Sequence, residues 1–169
     1  MKINLKTAIN FVIEQNQLPK FFPSKVSNEA ESLKIEIDKL DRKNLSELPF
    51  VTIDGIDAKD FDDAVYCKQN KDNFNLLVAI ADVSLYVKQN SCLDKEAYIR
   101  GTSIYFPQYV IPMLPEELSN NLCSLKPCEI RPVLVADIKL NADGEIKKYS
   151  FYQAVIESKF RLCYVDFNE

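Results

Sequence analysis

Leu5, Ala8, Ile9, Val12 and Ile13 recur at helical spacing, which predicts an amphipathic helix in the first eighteen residues, ended by Gln17-Leu-Pro19. Its apolar stripe calls for a packing partner. Ser24 stands where an N-cap would open a second short helix running to Leu33, and Lys39-Leu-Asp-Arg-Lys-Asn44 reads as a charged connector. Residues 1–44 are therefore expected to form a helical lead-in, with the main domain in residues 45–169. There the pattern changes to alternation. Strands are predicted at 64–68 and 74–80 around the polar turn Asn70-Lys-Asp-Asn73, and at 132–140 and 145–156 around Asn141-Ala-Asp-Gly144, whose Asp-Gly pair favours positive φ. Leu134, Ala136, Ile138 and Leu140 are the expected buried stripe of the second hairpin. Between the hairpins, Ser91 is placed to cap a helix ending at Arg100, and Pro115-Glu-Glu-Leu suits a first helical turn. These two helices bracket an extended stretch around Tyr105. The expected fold class is α+β, a mixed and mainly antiparallel sheet with hairpins and short helices.

With 169 residues, 47% of them apolar, the chain suits one folded domain with a real core. No internal repeat or low-complexity segment interrupts it. The net charge of −4 has the wrong sign for a protein that grips nucleic acid by its phosphates alone. Basic contacts would have to come from Lys59, Arg100, Lys126, Arg131 or Arg161, which are scattered singly. The chain has no histidine, and its five cysteines, Cys67, Cys92, Cys123, Cys128 and Cys163, include no Cys-x-x-Cys pair. Zinc sites and histidine-based catalysis are thereby excluded, and the thiols are expected as buried or half-buried packing groups in a reducing compartment. The longest apolar run, residues 76–81, is far too short to cross a membrane, so the chain reads as cytoplasmic.

One stretch changes this picture. Asp54, Asp60, Asp62 and Asp63 fall within ten residues. Carboxylates this crowded repel one another unless protons or a cation offset the charge, and hard divalent cations prefer oxygen ligands, so a Mg²⁺ site and phosphodiester cleavage are the first chemistry to consider. In an extended segment Asp60 and Asp62 would share one face and Asp63 the other, while Asp54 approaches across a turn opened by Gly55. Asp57, at the turn, is read as solvated. A calcium loop of the EF-hand type is a poor match, because Ile56 and Ala58 stand where oxygen ligands are required. The bland alternative is an acidic surface turn. Asp82, after the second strand, is read as a turn cap rather than a member of the cluster. Tyr105 with Phe106, and Tyr149 with Phe151 and Tyr152, are read first as core and edge packing and only second as base-stacking platforms.

The block Val51-Thr-Ile-Asp-Gly-Ile-Asp-Ala-Lys-Asp-Phe-Asp-Asp-Ala-Val-Tyr66, followed in order by Val78-Ala-Ile-Ala-Asp-Val-Ser84, Arg100-Gly-Thr-Ser-Ile-Tyr-Phe-Pro107, Ile111-Pro-Met-Leu-Pro-Glu-Glu-Leu-Ser119 and Leu122-Cys-Ser-Leu125, closely resembles the catalytic domain of the ribonuclease II and ribonuclease R family. The resemblance implies a Mg²⁺-dependent hydrolytic exoribonuclease that takes single-stranded RNA 3′ end first and releases nucleoside 5′-monophosphates. It implies that Asp54, Asp60, Asp62 and Asp63 are the four catalytic aspartates. Turnover would depend most on Asp62, and Asp54, Asp60 and Asp63 would chiefly hold metal. By the same resemblance Tyr105 stacks on the terminal base and Tyr164 lines the RNA path. The family's catalytic domain continues beyond the position of Glu169, with a phosphate-clamping arginine and a second stacking aromatic, and carries flanking RNA-binding modules. The chain is therefore expected to be the N-terminal portion of such a domain, with a separate chain or self-association as the source of the remainder. A non-catalytic RNA-binding or interaction fragment is the alternative.

Overall fold

In the computed structural model, residues 4–34, 37 and 40–165 are described. They form two compact units, one built from residues 1–33 and 87–117 and the other from 34–86 and 118–169.

The first unit holds α1 (Leu5–Gln15) and α2 (Ser24–Ser32). Asn4 caps α1, its side chain accepting from the Lys6 amide. α2 departs from expectation at its start, since Ser24 is already helical and Pro23 occupies the cap position without a side-chain hydrogen bond. Proline's fixed φ supplies the entry geometry there instead. Further along, a third helix of this unit spans Cys92–Arg100, with Ser91 as N-cap accepting from the Asp94 amide and Gly101 closing it at φ 72°. Only glycine adopts that conformation without strain. Val26, Ala30 and Leu93 are buried, and Glu29 accepts the Leu93 amide at 3.1 Å. Arg100 ties the unit together. It donates to the carbonyls of Phe21 and Pro112, pairs with Glu96 and lies over the Phe22 ring at 3.7 Å.

The second unit is a six-stranded sheet of β1 (Lys43–Asn44), β2 (Phe50–Asp54), β3 (Asp63–Asn70), β4 (Asn73–Ala81) and two long strands at Ile130–Leu140 and Ile146–Cys163. The small hairpin of the first unit, β5 (Ile104–Phe106) and β6 (Tyr109–Ile111), precedes them, so the long strands are β7 and β8. β3, β4, β7 and β8 pair antiparallel in succession, and β8 then pairs parallel with β1 and β2, while β2 pairs antiparallel with β3. The ladder therefore returns on itself. This closure rests on the 18 residues of β8, whose first two-thirds run along β7 and whose last third, Ser158 to Cys163, runs along β2. Closing a sheet removes the unpaired edges that invite aggregation. The mixed, mainly antiparallel sheet with short helices is the architecture expected from the sequence.

Phe50, Thr52, Ala64, Leu77, Ala79, Ala81, Val133, Val135, Ala154 and Ile156 fill the interior. On β7 this corrects the expected stripe: Val133 and Val135 are buried, whereas Leu134 is 46% exposed. Both alternate sets on this strand are apolar, so alternation alone could not choose the inward face. The cysteines also differ in part from expectation. Cys123 is buried and Cys92 and Cys163 are half-buried, but Cys67 and Cys128 are exposed, and all five are free.

Candidate active site

The acidic stretch joins the end of β2 to the start of β3. Asp54 closes β2 and pairs with Cys163, and the Tyr164 amide donates to the Asp54 carbonyl at 3.3 Å. This brings the exposed Tyr164 beside the first aspartate. Gly55 and the turn after it release the chain from the sheet, and Asp63 opens β3 opposite Ile80. The Ala81 amide donates to the Asp62 carbonyl at 2.9 Å, which extends the β3–β4 ladder by one residue. Alternation then puts Asp62 on the inward side with Ala64 and Asp63 on the other.

The loop between is pinned from two directions. On one side, Arg161 of β8 donates to the carbonyls of Gly55 and Ile56 and lies 5.0 Å from the Phe61 ring. Phe61 is buried and anchors the loop between Asp60 and Asp62. On the other side, the Ser124 hydroxyl donates to the Lys59 carbonyl at 2.8 Å and accepts from the Phe61 amide at 3.2 Å, and the Leu125 amide donates to the Phe61 carbonyl. These contacts cross more than sixty residues of sequence.

The charges interact as their crowding demands. Burial pushes the Asp54 carboxyl above its ordinary value, Asp63 and Asp60 add to the rise, and Arg161 opposes it. Asp62 is also raised, first by the loss of water around its carboxyl and then by the charges of Asp60, Asp63 and Asp54, although the residue is exposed at the surface. All four aspartates belong to one electrostatic cluster. Thr52 Oγ1 and Asp54 Oδ2 are both buried, and the Thr52 hydroxyl lies close enough to lower the Asp54 carboxyl, but among the described residues neither oxygen makes a hydrogen bond of regular geometry. Poorly paired buried acceptors are costly unless a proton or cation meets them. An all-oxygen donor set with a poorly paired buried carboxylate oxygen fits a hard divalent cation in its chemistry, while among the described residues no three acidic or thiol groups are drawn tightly enough to form a finished cage.

Asp82 lies outside the cluster's chemistry. It accepts from Ser84 Oγ at 2.6 Å and from Arg42 at 2.5 Å in a buried ion pair, and Arg42 also donates to the Val133 carbonyl. Burial disfavours its charge, but these donors outweigh it and hold the carboxyl below the ordinary range. The cap was expected; the arginine forty residues upstream was not visible in the sequence. Cys123, next to Ser124, is buried and its thiol is pushed up to about 12, first by desolvation and then by Asp62, so it is inert packing.

Other expected site residues are distributed differently. Tyr105 lies on β5 in the first unit and is exposed. Of the basic residues expected to meet RNA, Arg100 and Arg161 are spent on backbone carbonyls, and Arg131 binds the carbonyls of Ser124 and Asn121 and pairs with Glu129. Lys126 donates to Asn121. No described helix is long and apolar enough to cross a membrane.

The family description of the RNB domain matches residues 42–169, a span that takes in the closed sheet and its β2–β3 link, and the chain belongs to that family. Curated relatives that the chain matches include proteins named Ribonuclease R. Ribonuclease R of Escherichia coli (strain K12) is 47% identical over 161 residues, covering 93% of this chain and 20% of its own length. Among solved structures, Mycoplasma genitalium RNase R in complex with double-stranded RNA matches with a TM-score of 0.92 at 41% identity, covering 96% of this chain and 30% of that one. The same protein in complex with ribose methylated single-stranded RNA also has a TM-score of 0.92 at 41% identity, covering 96% of this chain and 26% of that one. The chain spans about a fifth of the length of the curated relative from Escherichia coli.

Proposed function

We propose that the chain carries the acidic centre of a Mg²⁺-dependent hydrolytic exoribonuclease, which shortens single-stranded RNA from its 3′ end and releases nucleoside 5′-monophosphates in the cytoplasm. The observation that carries this reading is the gathering of four mutually repelling aspartates at the β2–β3 link of an RNB fold. Asp54, Asp60 and Asp63 would hold one or two Mg²⁺ ions. Bound there, the metal would supply the charge that activates water and stabilises the leaving 3′ oxygen. Asp62 would orient metal or water. Tyr164, beside Asp54, offers its exposed ring to the RNA path, and Tyr105 offers a stacking surface for the terminal base.

A second reading, an RNA-binding fragment without turnover, is favoured by one observation: the guanidiniums of Arg100, Arg131 and Arg161 are committed to carbonyls and carboxylates, so none of the three is available as a phosphate clamp. A separate chain, or self-association, would then supply that group. The decay of a 5′-labelled single-stranded RNA with Mg²⁺ or EDTA separates the two. Stepwise Mg²⁺-dependent shortening that disappears in Asp62→Asn supports the nuclease. Retention of RNA with no shortening by either protein supports the second reading.

A further inference from the structure

We propose that Ser124 is a positioning residue for the aspartate cluster, its buried hydroxyl bridging Lys59 and Phe61 so that Asp60 and Asp62 are held where a divalent cation binds. The inference rests on the cation-binding part of the proposed function. Ser124 is fully buried, and its one hydroxyl satisfies an acceptor and a donor on either side of Asp60. Two residues of irregular backbone are thereby fixed without any strand partner. The Leu125 amide adds a third bond, to the Phe61 carbonyl, so both polar backbone groups of Phe61 are held by the 124–125 segment.

That segment is itself braced. Arg131 Nε donates to the Ser124 carbonyl at 3.1 Å and its Nη2 to the Asn121 carbonyl at 3.2 Å, connecting β7 through Ser124 to the loop. Arg161 reaches the Phe61 ring but hydrogen-bonds at Gly55 and Ile56, so the backbone groups on either side of Asp60 are left to Ser124 and Leu125. Asp60 has no regular secondary structure on either side, and Asp62 has it on one side only. Without the hydroxyl, the Leu125 amide would be left as the one hydrogen bond from this segment opposing the repulsion among the aspartates. Groups that orient metal ligands without touching the metal change affinity by about 10- to 100-fold when removed.

The test measures Mn²⁺ binding by the whole chain through electron paramagnetic resonance, for wild type, Ser124→Ala and Val135→Ala. Val135 is fully buried on β7 and serves as the control for general loss of packing. The expected result is Mn²⁺ affinity at least about tenfold weaker in Ser124→Ala, with Val135→Ala within about twofold of wild type. Equal binding by folded Ser124→Ala and wild type overturns the role of Ser124 while leaving the proposed cation site intact. Absence of Mn²⁺ binding by wild type overturns both. Should Ser124→Ala fail to fold, hydrogen exchange of the wild-type chain decides. Protection by Mg²⁺ of peptides covering both 59–61 and 122–126 supports the tether, and protection confined to 54–63 overturns it.

Discussion

At the scale of single residues, the acidic cluster sacrifices stability for chemistry. Desolvation and mutual repulsion disfavour the ionised forms of Asp54 and Asp62, so removing one charge should relieve the fold. Asp62→Asn is therefore expected to melt in EDTA at or slightly above the wild-type temperature, to gain less from added Mg²⁺ than wild type, and to lose RNA shortening. A clear drop in its melting temperature in EDTA would contradict the repulsion account. Asp82 has the opposite sign. Its folded carboxyl is held below its ordinary value of 3.8, so the stability it contributes is complete above 3.8 and is lost as pH falls through the lowered value. Asp82→Asn leaves Arg42 buried without its counter-charge, and the expected cost near neutral pH is about 3 kcal/mol or more. Denaturant titrations of both proteins should show the gap narrowing only at pH below about 3.8.

At the scale of elements, the β-rich half was legible wherever the signal was local. The turn between β3 and β4, the Gly144 turn at φ 80° between β7 and β8, and the Ser91 cap all follow from two to four neighbouring residues. The inward face of β7 was not legible, because Leu134, Ala136 and Ile138 compete with Val133 and Val135 and only the registry with β4 and β8 decides between them. Nor could the supports of the cluster be read. The aspartates and Tyr164 stand out in the sequence, but Ser124, Arg161 and the Arg42–Asp82 pair act across 40 to 106 residues. Their partners are backbone groups or distant side chains that leave no periodic trace. The β7 registry makes a sharp prediction: Val135→Ala, which opens a cavity, should cost about 2 kcal/mol in chemical denaturation. Leu134→Ser, at a half-open position, should cost about 0.5 kcal/mol. The reverse order would mean that the strand faces the other way.

At the scale of the whole molecule, the site depends on closure of the sheet. Among the described residues, β8 is the one strand that meets both β7 and β2, and its last six residues carry the β2 pairing, Arg161 and the approach to Tyr164. Parallel pairing between β2 and β8 joins residues about a hundred positions apart, so it is costly in chain entropy and forms only if most of the ladder is in place. A chain ending at Glu157 keeps the entire β7–β8 ladder yet leaves the β8-facing edge of β2 without a partner. Its expected behaviour is loss of cooperative melting and self-association in size-exclusion chromatography, since an open edge of Val51, Thr52 and Ile53 offers unpaired amides beside β-branched side chains. The 169-residue chain run under the same conditions provides the reference. If the shortened chain melts as sharply as the full one and stays monomeric, the β2–β8 ladder is not what holds Asp54 in place, and its support would have to come from the β2–β3 pairing alone.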